Sequence, residues 1–254
     1  PVSSFLTSRP VRTSLVNRAS GINPAWMDPM QLPPIINQAV DDEPVKLWCP
    51  DFSNQLNTQV WAYVYSRMEQ HGPCPVEIQK FFQTPGNYMV ASNMAFDRQV
   101  WQQVATPENG FPRIEIEQTL CSQAQAQASN LSGSLDMAGR ALGLGNKTVG
   151  GKAVMKRFAD RHQPLPGSPA DIEATMAKGW SREQAIKMAI DMWDLYLTYG
   201  VQDTELMRDV WKCTRQLDAS EWQEYWVSER INDRGMLADL DVCRGAANYH
   251  EEEA

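Results

Sequence analysis

"NYMVASNMAFDRQVW", Asn87 to Trp101, passes from a strand into a helix within one short run. Tyr88 to Ala91 is apolar and of strand length, and Phe96, Val100 and Trp101 fall at helical spacing behind it. A strand feeding directly into a helix is the building unit of α/β proteins, which place their sites at the carboxyl ends of strands. The run therefore predicts Asn93 and Asp97 beside such an end. A second reading of Asp97 stays open, because an acid in the first turn of a helix is favoured by the helix dipole alone.

Working outward, the chain from Pro1 to about Pro112 is mixed in character. "EPVKLWCP" is a second run of strand length, and "PVEIQKFF" has helical spacing. From Ser134 onward the pattern is almost wholly helical: "SLDMAGRALGL", "GGKAVMKRFADRH", "SREQAIKMAIDMWDLYLTY", "DTELMRDVWKCTRQL" and "SEWQEYWVSERIN", separated by Gly, Pro and Asp. Ser181 with Gln184, and Ser220 with Gln223, have capping-box spacing. The polar run "SQAQAQASN" reads as an exposed helix or loop. Trp193, Trp211, Trp222 and Trp226 fall at helical core spacing, so packing is their default role.

A chain of 254 residues, 43% hydrophobic, has room for one large or two small domains with cores of their own. No run approaches the roughly 18 apolar residues of a membrane helix. The five cysteines form no C-x-x-C, which favours a soluble protein in a reducing cytoplasm over a disulfide framework or a zinc site. The net charge of −8 argues against a protein that coats duplex DNA by neutralising phosphates. It leaves room for a nuclease, whose acids hold cations that restore attraction to phosphate.

Two other stretches bear on chemistry. In "LYLTYGVQDTELM", Leu195 to Met207, Tyr199 and Asp203 share one face if a single helix continues through Gly200. The alternative is a tyrosine on the core side followed by an acid at a new helix start. Lys147, Lys152, Lys156 and Arg157 concentrate positive charge, with Lys152 and Lys156 on one helix face. That face is either a contact for a nucleic-acid backbone or a solvated charged surface. His71, His162 and His250 are scattered, and "GRALGLGNKTVGGK" lacks the spacing of a phosphate-binding loop.

Taken together, Asn93-x-x-x-Asp97 ahead of a helix and Tyr199-x-x-x-Asp203 much later resemble the second and third exonuclease motifs of the 3'-5' proofreading domain in family-A DNA polymerases, particularly those of phages. "SGSLDMAGRALGL" with "GGKAVMKRF" looks like the stretch between those motifs. "ERINDRGMLADLDVCRGAA" looks like the junction into the polymerase region. The resemblance implies a ribonuclease H-like (DnaQ-like) α/β fold, with a central mixed sheet flanked by helices and a helical carboxyl-terminal extension. It implies an exonuclease-like domain over residues 1–218 and the start of a polymerase region over 219–254. Tyr199 would orient the attacking water, Asp97 and Asp203 would hold Mg2+ or Mn2+, and Asn93, Phe96, Lys152 and Lys156 would meet the substrate. The implied partners are the 3' end of single-stranded DNA and a polymerase domain of the same chain or complex, with no membrane. The implied compartment is the cytoplasm, that of the host if a phage encodes the protein.

The first motif departs from the family pattern. Where the family carries Asp-Phe-Glu-Thr, the best match here is "SFLT", Ser4 to Thr7, with Ser4 and Leu6 in place of both acids. Leucine offers no oxygen, and a serine hydroxyl is a neutral, weak ligand for magnesium. Asp41-Asp42-Glu43 supplies another Asp-x-Glu, but it precedes Pro44 and reads as a solvated hairpin turn. The expectation is a proofreading fold with weakened hydrolysis. The alternatives are an inactive domain of the same fold that binds DNA and supports the polymerase, and an unrelated helical interaction domain. The sequence stops inside an apparent helix, which suggests a fragment of a longer protein.

Overall fold

The structure is a computed structural model and describes residues 12–17, 36–145, 150–160 and 162–253. Among these, six strands form one mixed sheet: β1 (Arg12–Asn17), β2 (Ile36–Val40), β3 (Lys46–Cys49), β4 (Gln70–His71), β5 (Asn87–Ala91) and β6 (Thr119–Cys121), in the order β4-β3-β2-β1-β5-β6. β2 runs antiparallel to both of its neighbours, and every other adjacent pair is parallel. The two strands expected from "EPVKLWCP" and "NYMVAS" are β3 and β5.

Alternation along the strands sends successive side chains to opposite faces, and each face is covered by helices. On one face Trp48, Met89 and Ala91 pack with Ile78 and Phe82 of α2 (Val76–Gln83) and with Met94 of α3 (Met94–Val100). α3 runs on through a π-helical turn, Trp101–Ala105, into the short α4 (Thr106–Asn109). Trp101 is fixed there by donating from Nε1 to the Pro112 carbonyl at 2.7 Å.

The opposite face is organised by α9 (Arg182–Cys213), 32 residues long and so about 48 Å. The two separate helices suggested by the spacing are this one helix. Gly200 costs it roughly 1 kcal/mol relative to alanine, and burial of both flanks, from Trp193 and Leu197 to Leu206 and Met207, outweighs that loss. Around α9 lie α1 (Thr58–Ser66), α5 (Ser122–Ala128), α6 (Leu135–Ala141), α7 (Gly151–Ala159) and α8 (Pro169–Met176).

The expected capping box at Ser181 and Gln184 is present at the start of α9. At α10 (Ala219–Arg234) the cap is Asp218 with Glu221, not Ser220 with Gln223, because the Asp218 carboxylate accepts from the backbone N–H groups of Ser220 and Glu221. The run "SQAQAQASN" forms α5, and its inner side is not exposed: Gln125 is buried and donates to the Trp211 carbonyl and the Thr214 hydroxyl.

α10 packs on the sheet. Trp222 and Trp226 join Val90, Leu120 and Met207 in one cluster, and Trp226 donates to the Thr119 carbonyl at 2.7 Å. The described side chains of 231–249, which include most of α11 (Leu240–Glu253), are exposed throughout. No helix among the described residues is long and apolar enough to cross a membrane.

Candidate functional site

Strand order locates the cleft before any side chain is considered. β1 to β4 step outward to one side and β5 and β6 lie on the other, so the order reverses between β1 and β5. These two strands are parallel, and Leu15 of β1 stands opposite Val90 of β5, so their carboxyl ends coincide. Such a reversal point opens a crevice outside the carboxyl ends of the strands.

Asn93 and Asp97 follow β5 at its carboxyl end, as the N-cap and first turn of α3. Asn93 is the exposed N-cap residue of α3, and its carbonyl accepts from the backbone N–H groups of Phe96 and Asp97. Phe96 is half-buried. Asp97 is only 6% exposed, which a first-turn acid serving the helix dipole alone does not require.

Tyr199 and Asp203 come from the other side of the sheet. Because α9 is continuous through Gly200, the two residues share one face, and Asp203 is 8% exposed. The Thr204 hydroxyl donates to the Gly200 carbonyl at 3.0 Å and secures the turn between them. α9 packs over β1 and β2, the strands next to the reversal point. Tyr199 is buried against the start of α7, where Gly151 leaves the room it needs: a Cβ on Gly151 would sit 2.1 Å from Cδ2 of the tyrosine ring. Gly151→Ala is therefore expected to displace Tyr199 and to cost on the order of 1–3 kcal/mol, read as a lower urea midpoint. An unchanged midpoint would mean that the ring moves aside freely.

The direction of α9 settles the place of Asp41-Asp42-Glu43. These residues form the exposed β2–β3 turn, as expected. Val40 stands opposite Ser14, so the turn lies toward the amino end of β1, away from the crevice. The far part of α9 holds it: Arg208 donates to the Glu43 carbonyl at 2.7 Å, and Lys212 pairs with Asp42. Lys212 is nine residues beyond Asp203, about 14 Å along the helix.

The basic segment is divided. Lys156 is exposed on α7, whereas Lys147, the side chain of Lys152, and the first motif at Ser4 to Thr7 lie outside the described residues. Arg157 is engaged within the protein, pairing with Asp171 at 2.6 Å and donating to the Pro164 carbonyl.

Sequence reasoning missed Arg98, the neighbour of Asp97. It is 2% exposed and bonds Asp233 of α10 at 2.6 Å, with Glu229 at 3.9 Å. Burial holds the Glu229 carboxyl above its ordinary range, against the pull of Arg98. Cys121, at the carboxyl end of β6, has its thiol pushed up by burial, which argues against a cysteine nucleophile there.

Carboxylates are suitable donors for a hard divalent cation. Among the described residues, however, no group of three or more His, Cys, Asp and Glu side chains could hold a metal ion, so Asp97 and Asp203 fit such an ion in type but not in number.

Over 135 residues, 52% of its length, the chain is 27% identical to a DNA polymerase of Bacillus phage SP02. The matched stretch covers 19% of that polymerase, so the chain corresponds to about a fifth of the curated relative it matches. No protein-family model and no solved structure matches the chain.

Proposed function

We propose that this chain is the 3'-5' exonuclease-like module of a phage-type family-A DNA polymerase, and that its crevice receives the 3' end of a single strand. The observation that carries this reading is Asp97, buried directly after β5 at the point where strand order reverses. Tyr199 and Asp203, on a helix that crosses the neighbouring strands from the other face, support it, as does similarity to a phage DNA polymerase. A mixed sheet with one reversed strand and helices on both faces agrees with the ribonuclease H-like fold that the motifs imply. We place the passage into the polymerase region after α10, since that helix packs on the sheet.

In this reading Asp97 and Asp203 are the side chains that would hold Mg2+ or Mn2+, and such ions supply Lewis-acid activation of water and charge stabilisation. The chain's own residues bind and orient. Asn93 and Phe96 border the crevice at the start of α3, Tyr199 is held in place by its packing on α7, and exposed Lys156 meets the strand backbone. With Ser4 and Leu6 where the family has acids, the module binds a strand end more effectively than it cleaves one.

Anisotropy of a labelled oligothymidylate tests this. Mn2+ is expected to tighten binding to the parent chain, and Asp97→Asn or Asp203→Asn to remove that gain while leaving the metal-free affinity in place. A Mn2+ effect indifferent to both substitutions would overturn the assignment.

A further inference from the structure

At the amino-terminal end of α9, far from the crevice, lies a surface that the exonuclease reading does not use. Trp180 is 47% exposed, an unusual position for the largest apolar side chain. It is held out by a tight turn between α8 and α9, in which Gly179 takes a positive φ of 95° and the N–H groups of Lys178 and Gly179 donate to the carbonyls of Thr175 and Met176. Lys178 and Arg182 flank it, both exposed, and neither forms an ion pair among the described residues. Met176 and Met188, also exposed, extend the apolar part of the patch.

Charge identifies what this surface fits. From Met176 to Met188 there are three cations against one acid, Glu183, in a protein of net charge −8. Lys187 is taken up by Asp191 at 2.8 Å, which leaves Lys178 and Arg182 free for an outside anion. The first-turn amides of α9 do not compete, because the Ser181 hydroxyl and the Gln184 side chain close a capping box there. An exposed aromatic ring between two free cations is the combination that binds single-stranded nucleic acid, by base stacking with phosphate contacts on either side.

Position links the patch to the crevice. Arg182 precedes Asp203 by 21 residues, about 32 Å along α9. At 3.6 residues per turn it returns to within about 60° of the direction of Asp203. Phe158 of α7 and Ile172 of α8 both pack in the cluster that contains Trp193 and Tyr199, so those helices line α9 between the two places, with Lys156 exposed on the way.

We propose that Lys178, Trp180 and Arg182 form a second contact for single-stranded DNA, one that holds the strand at a distance from its 3' end. This rests on the exonuclease-like reading of the crevice, and the test separates the two. Binding of oligothymidylates of roughly 4 and roughly 16 nucleotides, the ends of the range that single-strand grooves cover, is measured by anisotropy. Trp180→Ala is expected to weaken the longer oligonucleotide about tenfold and leave the shorter one unchanged, while Trp180→Phe retains most of the affinity. Lys178→Ala with Arg182→Ala should lower the slope of log affinity against log salt by about 1.4 for the longer strand, because two phosphate contacts are lost. Trp180 is exposed, so unchanged circular dichroism and urea midpoint are expected in each variant.

Loss of short-strand binding in the parent would refute the crevice reading, and absence of binding at both lengths would refute both. If the longer strand binds the parent and all three variants equally, the patch is not a DNA contact, and its apolar surface belongs to a protein interface instead.

Discussion

Ser4→Asp combined with Leu6→Glu is expected to raise Mg2+-dependent degradation of a single strand by about a thousandfold or more over the parent chain. The reasoning begins with numbers of ligands. In the proposed reading the crevice has two carboxylates, Asp97 and Asp203, and the stretch matched to the motif that would add two more carries a hydroxyl and an alkyl group instead. A divalent ion in a hydrolytic site supplies several kcal/mol of transition-state stabilisation, and each 1.4 kcal/mol lost is a tenfold loss of rate. Restoring both acids should recover most of this. Adding Asp203→Asn to the restored chain should abolish the gain, which ties the recovered activity to the crevice. Strong degradation by the parent would point to another acid entering the site. A restored chain no faster than the parent would remove the exonuclease reading of the amino terminus.

The strand and helix that carry Asn93 and Asp97 were easier to read in the sequence than the sheet around them. β5 and α3 were legible because one uninterrupted apolar run leads into residues at helical spacing, and neither element depends on a distant partner for its pattern. β2 was hidden by its polarity: Gln38 points inward and is buried, satisfied by a hydrogen bond to Gln70 of β4 at 2.7 Å. Period-2 alternation fails where a buried position holds an amide. β4 and β6, two and three residues long, are too short to show a period at all.

The length of α9 was obscured for a different reason. Gly200 is a local stop signal, and only the packing of residues on both sides, against parts of the chain far away in sequence, cancels it. The role of Arg98 depends on separation too. Its partner Asp233 is 135 residues distant, so nothing near "FDRQVW" marks this arginine as buried.

Arg98→Ala is expected to destabilise the protein by about 2–3 kcal/mol, below the cost of removing one side of a fully buried ion pair, because Asp233 is about a third exposed while Glu229 is buried. The guanidinium lies under the junction of α3 and α10, where Asp233 accepts from it at 2.6 Å and Gln99 adds a hydrogen bond to the same carboxylate oxygen at 3.2 Å. Without the cation, Asp233 and the mostly buried Glu229 face each other with no compensating charge, and α10 loses its attachment to the helix that carries Asp97. If uncompensated charge is the main cost, adding Glu229→Gln and Asp233→Asn to Arg98→Ala should restore part of the stability. If the cost is the cavity alone, those additions should restore nothing. The same logic applies to the helix as a whole. A chain ended after Asp218 would strip Trp222 and Trp226 from Val90 and Leu120 and leave the Thr119 carbonyl without its indole donor, so its urea transition should lose cooperativity. A truncated chain that unfolds at the parent's midpoint, or an Arg98→Ala variant that loses less than about 1 kcal/mol, would show that α10 merely rests on the sheet and that the exonuclease-like unit ends before it.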